Sequence, residues 1–584
     1  MNGPAELNAY RAAGLIDRDD VAAAALLVGM ARRDGAPEPD TLAWVAICLA
    51  LRTVRDGHTC VDLARIRDWA GDHDPTAPGG PRWPTDAAPW VEAVRAADRL
   101  VGKPGDRRPF ILDSRPSADG GAESHRLYLA RSLAEEESIA TAIRARVTDG
   151  TISILLGGPG TGKTTKVAAD LVARLQGLKP GEPGPRLGLA APTGKAAARM
   201  TEVLRTRCQE AGAAQDVIDR IAATPARTVH KLLGYNPSRG DRFAHTADNL
   251  LPYDLVIVDE ASMLSSSLMH HLLSAIDPAA DLRLVGDPDQ LASVDAGTVL
   301  GDIAVFGEES HAAEPLHGCI DTLRKIHRSE SANILALAAA IRGAKVDDAI
   351  HILRAGADDV AWIDPADAAA LDGLEKAATD HARALGNAAG GRDPGTGKSP
   401  PGQQPPDPRA VAAAVLRTKA RLQVLCAHRD GPMGVWGWNA RIEKRLGVRS
   451  TDTWYAGRPV IVTRNSRSLG LANGDVGVVV PAAGRMEAVF GLPEQSARVA
   501  VSRLEDVETV HALTIHKSQG SEYGHAIVVL PERPSQILTR ELLYTGVTRA
   551  RDRVTVVGSR EVIEAAIRTP IRRATGLAER LRSG

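Results

Sequence analysis

From residue 126 to about 325, short apolar runs alternate with longer stretches in which apolar residues recur every three or four positions. The runs fall at 152–156, 187–190, 254–258 and 282–285, with turn-forming residues around them. Continuous apolar runs of this length read as buried strands, and the periodic stretches as amphipathic helices. The alternation predicts a parallel sheet with helices on both faces, which places ligands at the carboxyl ends of the strands. A second α/β rhythm follows, with a helix at 332–342 and strands at 423–427, 526–530 and 554–557. Between about 450 and 510 the pattern shortens to strands such as 458–463 and 476–480 near the turn Asn473-Gly474, which predicts a small β-barrel-like insertion. Residues 1–125 read as helical, for example at 19–33 and 41–55, and end in Pro- and Asp-rich turns at 72–88 and 113–120. The expected fold class is therefore α/β: an α-helical N-terminal domain (1–125), a first parallel-sheet lobe (126–325), and a second lobe (326–584) carrying the insertion.

Length changes the picture little, since 584 residues exceed a single core and call for several domains. The net charge of −1 gives no global pull toward nucleic acid, so any strand must be held by local grooves. Aromatics at 3% leave few stacking platforms, although Trp436, Trp438, Trp454 and Tyr455 cluster and serve either stacking or core packing. Five scattered cysteines lack metal-ligand or disulfide-framework spacing. The first residues lack a basic start followed by an apolar stretch, and no apolar run approaches the roughly eighteen residues of a membrane span. A cytoplasmic protein with no membrane partner is expected.

The first predicted strand runs into Gly157, Gly158, Pro159, Gly160, Thr161, Gly162, Lys163, Thr164 and Thr165, and a helical pattern follows. Glycines let such a loop curl so that backbone N–H groups point at nucleotide phosphates, aided by the positive end of the helix. Lys163 then reaches the β/γ-phosphates, and Thr164 holds Mg²⁺. The chain contains its own control. PGTGKS at 394–399 looks similar, but Arg392 stands where the loop needs glycine, and the Gly/Pro-rich surroundings of about 386–409 read as a linker.

DLVIVDEASM at 254–263 ends a strand in two adjacent carboxylates, Asp259 and Glu260, which can diverge, one toward the Mg²⁺ shell and one toward the attacking water. The next strand ends in GDPDQL, where Gln290 suits a sensor of hydrolysis and Asp287 a turn cap. Arg328 and Arg549, both beyond the first lobe, can extend guanidinium groups to the γ-phosphate. Thr193 and Lys195, Thr228 and His230, and Thr514 and His516 supply donors at strand ends that suit phosphate and sugar contacts along a nucleic-acid strand.

The ordered set GGPGTGKT, APTGKAAARM, TVHKLLG, VDEASM, LVGDPDQL, IHRSES, TIHKSQGSE and LLYTGVTRAR, over about 150–555, resembles the motifs of superfamily 1 helicases. WVAICLALRTVRDGHTCVDL (44–63), RLYLARSL (126–133) and CAHRDGPMGVWGWN (426–439) narrow the resemblance to the RecD family, alpha subunits of exodeoxyribonuclease V (RecBCD). The resemblance implies two RecA-like lobes and an ATP- and Mg²⁺-dependent motor moving 5′ to 3′ on single-stranded DNA. It implies work at double-stranded ends in a heterotrimer with RecB-like and RecC-like subunits, serving break repair by recombination, with the N-terminal domain docked on the RecC-like subunit. Lys163 and Thr164 would serve phosphate and Mg²⁺, Asp259 and Glu260 Mg²⁺ and water, Gln290 sensing, and Arg328 and Arg549 as fingers. Thr193, Lys195, Thr228, His230, Thr514 and His516 would contact the strand. The sequence departs in one respect: no glutamine occurs between 120 and 156, where many such helicases place an adenine reader. No nuclease-type carboxylate cluster stands out, so no cleavage activity is expected. A stand-alone helicase of the same superfamily, or a non-motor ATP-dependent scaffold, are the competing readings.

Overall fold

The computed structural model describes residues 4–70, 81–115, 123–177, 184–210, 212–236, 242–324, 331–390, 408–449, 454–466, 468–482, 485–492 and 495–582. The central part of the expected linker, 391–407, lies outside them.

The N-terminal region contains the expected helices, Arg18–Arg33 and Thr41–Arg52, with Leu7–Ala12 and Ala87–Ala96 beside them. A reciprocal cap starts the first: Asp17 accepts from the Asp20 amide at 3.0 Å, and Asp20 accepts from the Asp17 amide at 3.0 Å. Thr41–Arg52 is buried from Leu42 through Ala50, which makes it the centre of this core. To these helices the structure adds a four-stranded sheet, ordered Cys60–Asp62, Ser124–Leu129, Phe110–Arg115, Val101–Gly102. Of the turn expected at 113–120, residues 113–115 instead pair with 124–126, and 116–120 lie outside the described residues. Asp113 looks like a turn residue locally; inside the strand it is paired with Arg580, 467 positions away, at 2.5 Å.

The first lobe is a six-stranded sheet in the order Ile320–Leu323, Ile152–Gly157, Asp281–Gly286, Leu255–Val258, Leu187–Ala191, Arg227–Thr228. Every pair in it is parallel. Alternating side chains feed opposite faces. Ile154, Val256 and Leu284 meet Ile139 and Ile143 of helix Ala130–Asp149 and Leu272 of helix Ser266–Ala275. Leu155, Ile257 and Val285 meet Val167 and Leu171 of helix Lys163–Gln176 and Leu204 of helix Gly194–Glu210. The four inner strands match the predicted runs. The outer two, four and two residues long, are too short to show as runs.

The second sheet is also parallel, ordered Val360–Ile363, Ala550–Val557, Tyr523–Val529, Leu422–Cys426, Ala512–Thr514. Helix Ala332–Arg342 packs Ile334, Leu337 and Ile341 into its core, with the Ser331 hydroxyl capping the Ile334 amide at 3.3 Å. The insertion is an antiparallel five-stranded sheet, Gln495–Ala500, Arg485–Leu492, Val476–Ala482, Pro459–Val462, Val507–Thr509 in order. Among the described residues no ladder joins its two outer strands. Val478, Val480 and Val489 on one face pack on Leu385 and Val415, so the insertion is anchored on the helices that flank the linker. Of the tryptophan cluster, Trp438 is fully buried and Trp436 is 58% exposed.

Beyond the last helix of the second lobe, the chain returns to the first. Leu577 and Leu581 enter the first core, while Arg580 joins Asp113 and Glu136. Glu136 also accepts from Thr59, Tyr128 and Thr575, so one buried carboxylate collects three distant segments. Four of the five cysteines are buried and all are free. Among the described residues, no helix is long and apolar enough to cross a membrane.

Candidate functional site

The loop expected to cradle phosphates connects strand Ile152–Gly157 to helix Lys163–Gln176 at the carboxyl edge of the first sheet. Gly160 and Gly162 adopt φ of 72° and 83°, the left-handed region that side chains avoid. Lys163 Nζ donates to the Gly157 and Gly158 carbonyls at 2.5 and 3.0 Å, so the ammonium lies within the curl. Thr161 closes the turn through its hydroxyl, which donates to Gly158 O at 2.8 Å. A cleft of about 530 Å³ opens from this loop. Gly158 to Thr165 line it together with Asp259, Glu260 and Gln290 from the first lobe and Thr548 and Arg549 from the second.

Asp259 directly follows strand Leu255–Val258 and donates its amide to Ala190 O at 2.9 Å. Glu260, although not glycine, has φ of 53°, a strained conformation of the kind that persists where a side chain must be aimed. Its amide donates to Asp259 Oδ1 at 2.8 Å. Burial and the adjacent Glu260 carboxyl push the Asp259 carboxyl up to about 6, while Lys163 pulls it the other way.

The seam between the lobes lies at Gln290. Gln290 Nε2 donates to Asp287 at 2.9 Å, and Gln290 Oε1 accepts from Arg549 Nη2 at 2.8 Å. Asp287 caps its turn as expected, by accepting from the Asp289 amide at 3.1 Å, and also accepts from Tyr544 Oη of the second lobe at 3.2 Å. Burial and Asp287 raise the Tyr544 phenol further, which keeps it a donor. Leu291 is held at both ends: its amide donates to Thr545 Oγ1 at 3.0 Å, and its carbonyl accepts from Gln519 Nε2 at 3.0 Å. A Cβ on Gly158 would stand 3.0 Å from Tyr544 Oη, so the second lobe also approaches the phosphate loop closely. Arg199 and Glu522 pair across the cleft at 2.7 Å.

Sequence reading did not single out Tyr544 and Thr545. Their signal was present: both lie on helix Arg540–Val547, five and four positions before Arg549, which follows the helix end. Gln519, within the motif TIHKSQGSE, spends its amide on Leu291. Arg328 lies outside the described residues.

The proposed strand contacts share one local device. The hydroxyls of Thr193, Thr228 and Thr514 each accept from the amide three positions on, at 3.2, 3.2 and 3.3 Å, capping a helical turn where a strand ends. Strands Leu187–Ala191 and Arg227–Thr228 are neighbours, which brings Thr193 and Thr228 to one edge of the first sheet, whereas Thr514 ends a strand of the second. His230 packs edge-on to Tyr235 at 5.5 Å, His516 is half-buried, and the Lys195 ammonium stands 6.0 Å from the Tyr523 ring centre.

Two parallel sheets that share a cleft, a phosphate loop on one and an arginine from the other bonded to a glutamine at its edge, define a two-lobed P-loop nucleoside triphosphatase. Family models agree: an AAA domain matches residues 140–296, the UvrD-like helicase C-terminal domain 509–557, and the RecBCD enzyme subunit RecD N-terminal domain 12–116. The RecBCD enzyme subunit RecD of Mycolicibacterium smegmatis is 39% identical over 580 residues, covering 94% of this chain and 95% of that protein. The ATP-dependent RecD2 DNA helicase of Deinococcus radiodurans is 32% identical over 462 residues, 78% of this chain and 53% of that one. A crystal structure of Pif1 helicase from Bacteroides in complex with ADP-AlF3 and ssDNA aligns with a TM-score of 0.35 at 16% identity, covering 71% of this chain and 91% of that chain. The chain belongs to the RecBCD enzyme subunit RecD family.

Proposed function

We propose that this chain is an ATP-hydrolysing DNA helicase, the RecD-type subunit of a RecBCD-like complex that acts in the cytoplasm on double-stranded ends. In this reading it moves 5′ to 3′ on single-stranded DNA beside RecB-like and RecC-like partners. The Arg549–Gln290 bond, 2.8 Å long and joining the lobes at the edge of the cleft, carries this reading.

The glycine loop and Lys163 hold the β- and γ-phosphates, with the ammonium exchanging the Gly157 and Gly158 carbonyls for phosphate oxygens. Thr164 and Asp259 fit Mg²⁺. Both line the cleft, and the carboxyl of Asp259, driven up by burial and Glu260, gains from a cation beside it. Among the described residues no group of three acidic, His or Cys side chains could hold a metal ion. Mg²⁺ held by Thr164 and Asp259 would supply neutralisation of the charge on the β- and γ-phosphates. Glu260 accepts the proton of the attacking water, Gln290 orients that water, and Arg549, with Arg328, stabilises charge on the transferring phosphoryl group.

Hydrolysis changes what Arg549 and Gln290 hold, and the seam joins them to the track. Thr514 and Gln519 sit on one short segment, and Gln519 bonds Leu291 next to Gln290. Opening and closing the seam therefore moves the Thr514–His516 edge relative to Thr193, Lys195, Thr228 and His230, the two grips on a strand. The test is translocation by the purified complex on strands of defined polarity. Movement from 3′ to 5′ would overturn the direction, and Lys163→Ala should abolish hydrolysis while its partners still co-purify.

A further inference from the structure

The loop that follows Gln290 is clamped from the opposite side by the chain's C-terminal segment. The Arg573 guanidinium donates to three backbone carbonyls of that loop: Ser293 O at 2.5 Å, Asp295 O at 2.6 Å and Gly297 O at 3.2 Å. The N-terminal region completes the clamp. The Gly297 amide donates to Gly57 O at 3.0 Å, the Ala574 amide to His58 Nδ1 at 2.8 Å, and the Thr59 amide to Ala574 O at 3.0 Å. Gly57 has φ of 84°, and a Cβ there would lie 2.7 Å from Arg573 Cζ, so the guanidinium is packed directly against that backbone. Two positions earlier, the Ile571 amide donates to Glu541 of the second lobe at 2.7 Å. A cavity of about 170 Å³ is lined by Gln290 and Pro288 at one side and by Ile571 and Arg573 at the other.

The segment 287–297 is thus held at one end by the second lobe, through Tyr544, Thr545, Gln519 and Arg549, and at the other by Arg573 against Gly57. A guanidinium forked onto successive carbonyls fixes the path of a loop as a single-point donor cannot. We propose that Arg573 is a positioning residue for the hydrolysis reaction: it sets the loop from which Gln290 reaches Arg549, and it ties that setting to the N-terminal region. The inference rests on the reading of Gln290 as the sensor given above. Its physical content is that Gln290 and Arg573 act as one unit although they make no bond to each other.

The test uses the full-length chain in its purified complex, with ATP turnover measured on an oligothymidylate strand and ATP binding measured separately. Arg573→Ala should lower kcat about tenfold or more while KM for ATP stays within about twofold, because the phosphate loop is untouched. Arg573→Lys should recover only part of the loss, and it supplies the readout if the alanine variant is too unstable to purify. In a double variant with Gln290→Ala, the losses should fall well short of multiplying. Unchanged kcat in both Arg573 variants, or losses that multiply with Gln290→Ala, would overturn the proposal. If Gln290→Ala alone leaves kcat intact, it is the sensor reading that fails instead.

Discussion

Arg549→Ala separates the energetic role of the seam from its chemical role. The side chain is 4% exposed and donates to Gln290 Oε1 at 2.8 Å, Thr545 O at 3.1 Å and Ser521 O at 3.3 Å. Truncation strands these acceptors in a buried seam. A stranded buried group costs about 1–3 kcal/mol, but the bond to Ser521 is long and the Gln290 amide keeps Asp287, so a total loss of about 2–4 kcal/mol is expected. A finger arginine contributes on the order of 10³-fold or more to turnover, a barrier change of about 4 kcal/mol. The energies are similar, yet one is read in a melting curve and the other in kcat. Arg549→Lys distinguishes them further: its ammonium restores part of the stability, but it lacks the planar fork and should leave kcat low. The assay pairs DNA-stimulated ATP hydrolysis with thermal unfolding of the same preparations. If Arg549→Ala melts lower yet turns over within about tenfold of the parent, the arginine is a structural tie and the closure mechanism is wrong.

Arg580→Ala leaves Asp113 short of a buried cation and Glu136 short of a donor, so it should lower stability by about 3–5 kcal/mol in denaturant unfolding. Lys419 is buried, and burial lowers its ammonium to about 7, so between pH 7 and 10.5 the unfolded chain holds the extra proton. Stability of the parent should therefore rise with pH through that window relative to Lys419→Met, and parallel melting curves would contradict this. Leu26 and Met30 stand 65% and 55% exposed one turn apart on helix Arg18–Arg33. Leu26→Asp with Met30→Asp should release partner subunits and spare ATP turnover, as measured by co-purification and hydrolysis. Deleting the N-terminal region is a poorer perturbation, because it strips Arg580 of Asp113 and Glu136 of Thr59.

The inner strands of both lobes were legible because a strand buried on both faces must be apolar along its length, which is a local property. The N-terminal sheet was not. Its strands run from two to six residues and include Asp113, a buried charge whose buried partner, Arg580, comes from the far end of the chain. The edge strands Val360–Ile363 and Ala512–Thr514 escaped for the same reason of length. Of the site, the loop from Gly157 to Thr165 could be read outright, since its glycine spacing encodes its own conformation. Gln290 and Arg549 could be named singly, but not as partners. Tyr544 and Thr545 carry no local mark beyond their nearness to Arg549, Arg573 carries none, and all three matter because of what lies opposite them.

The sequence by itself determined the elements and their chemistry, because helix period, strand hydrophobicity and the curl of a glycine loop are settled within a few residues. Only the tertiary structure decided which groups meet: Gln290 with Arg549 across 259 positions, Asp113 with Arg580 across 467, and the C-terminal segment with both the N-terminal region and the loop beyond Gln290. Sheet order and lobe packing fix those meetings, and neither leaves a trace in the spacing of residues along the chain.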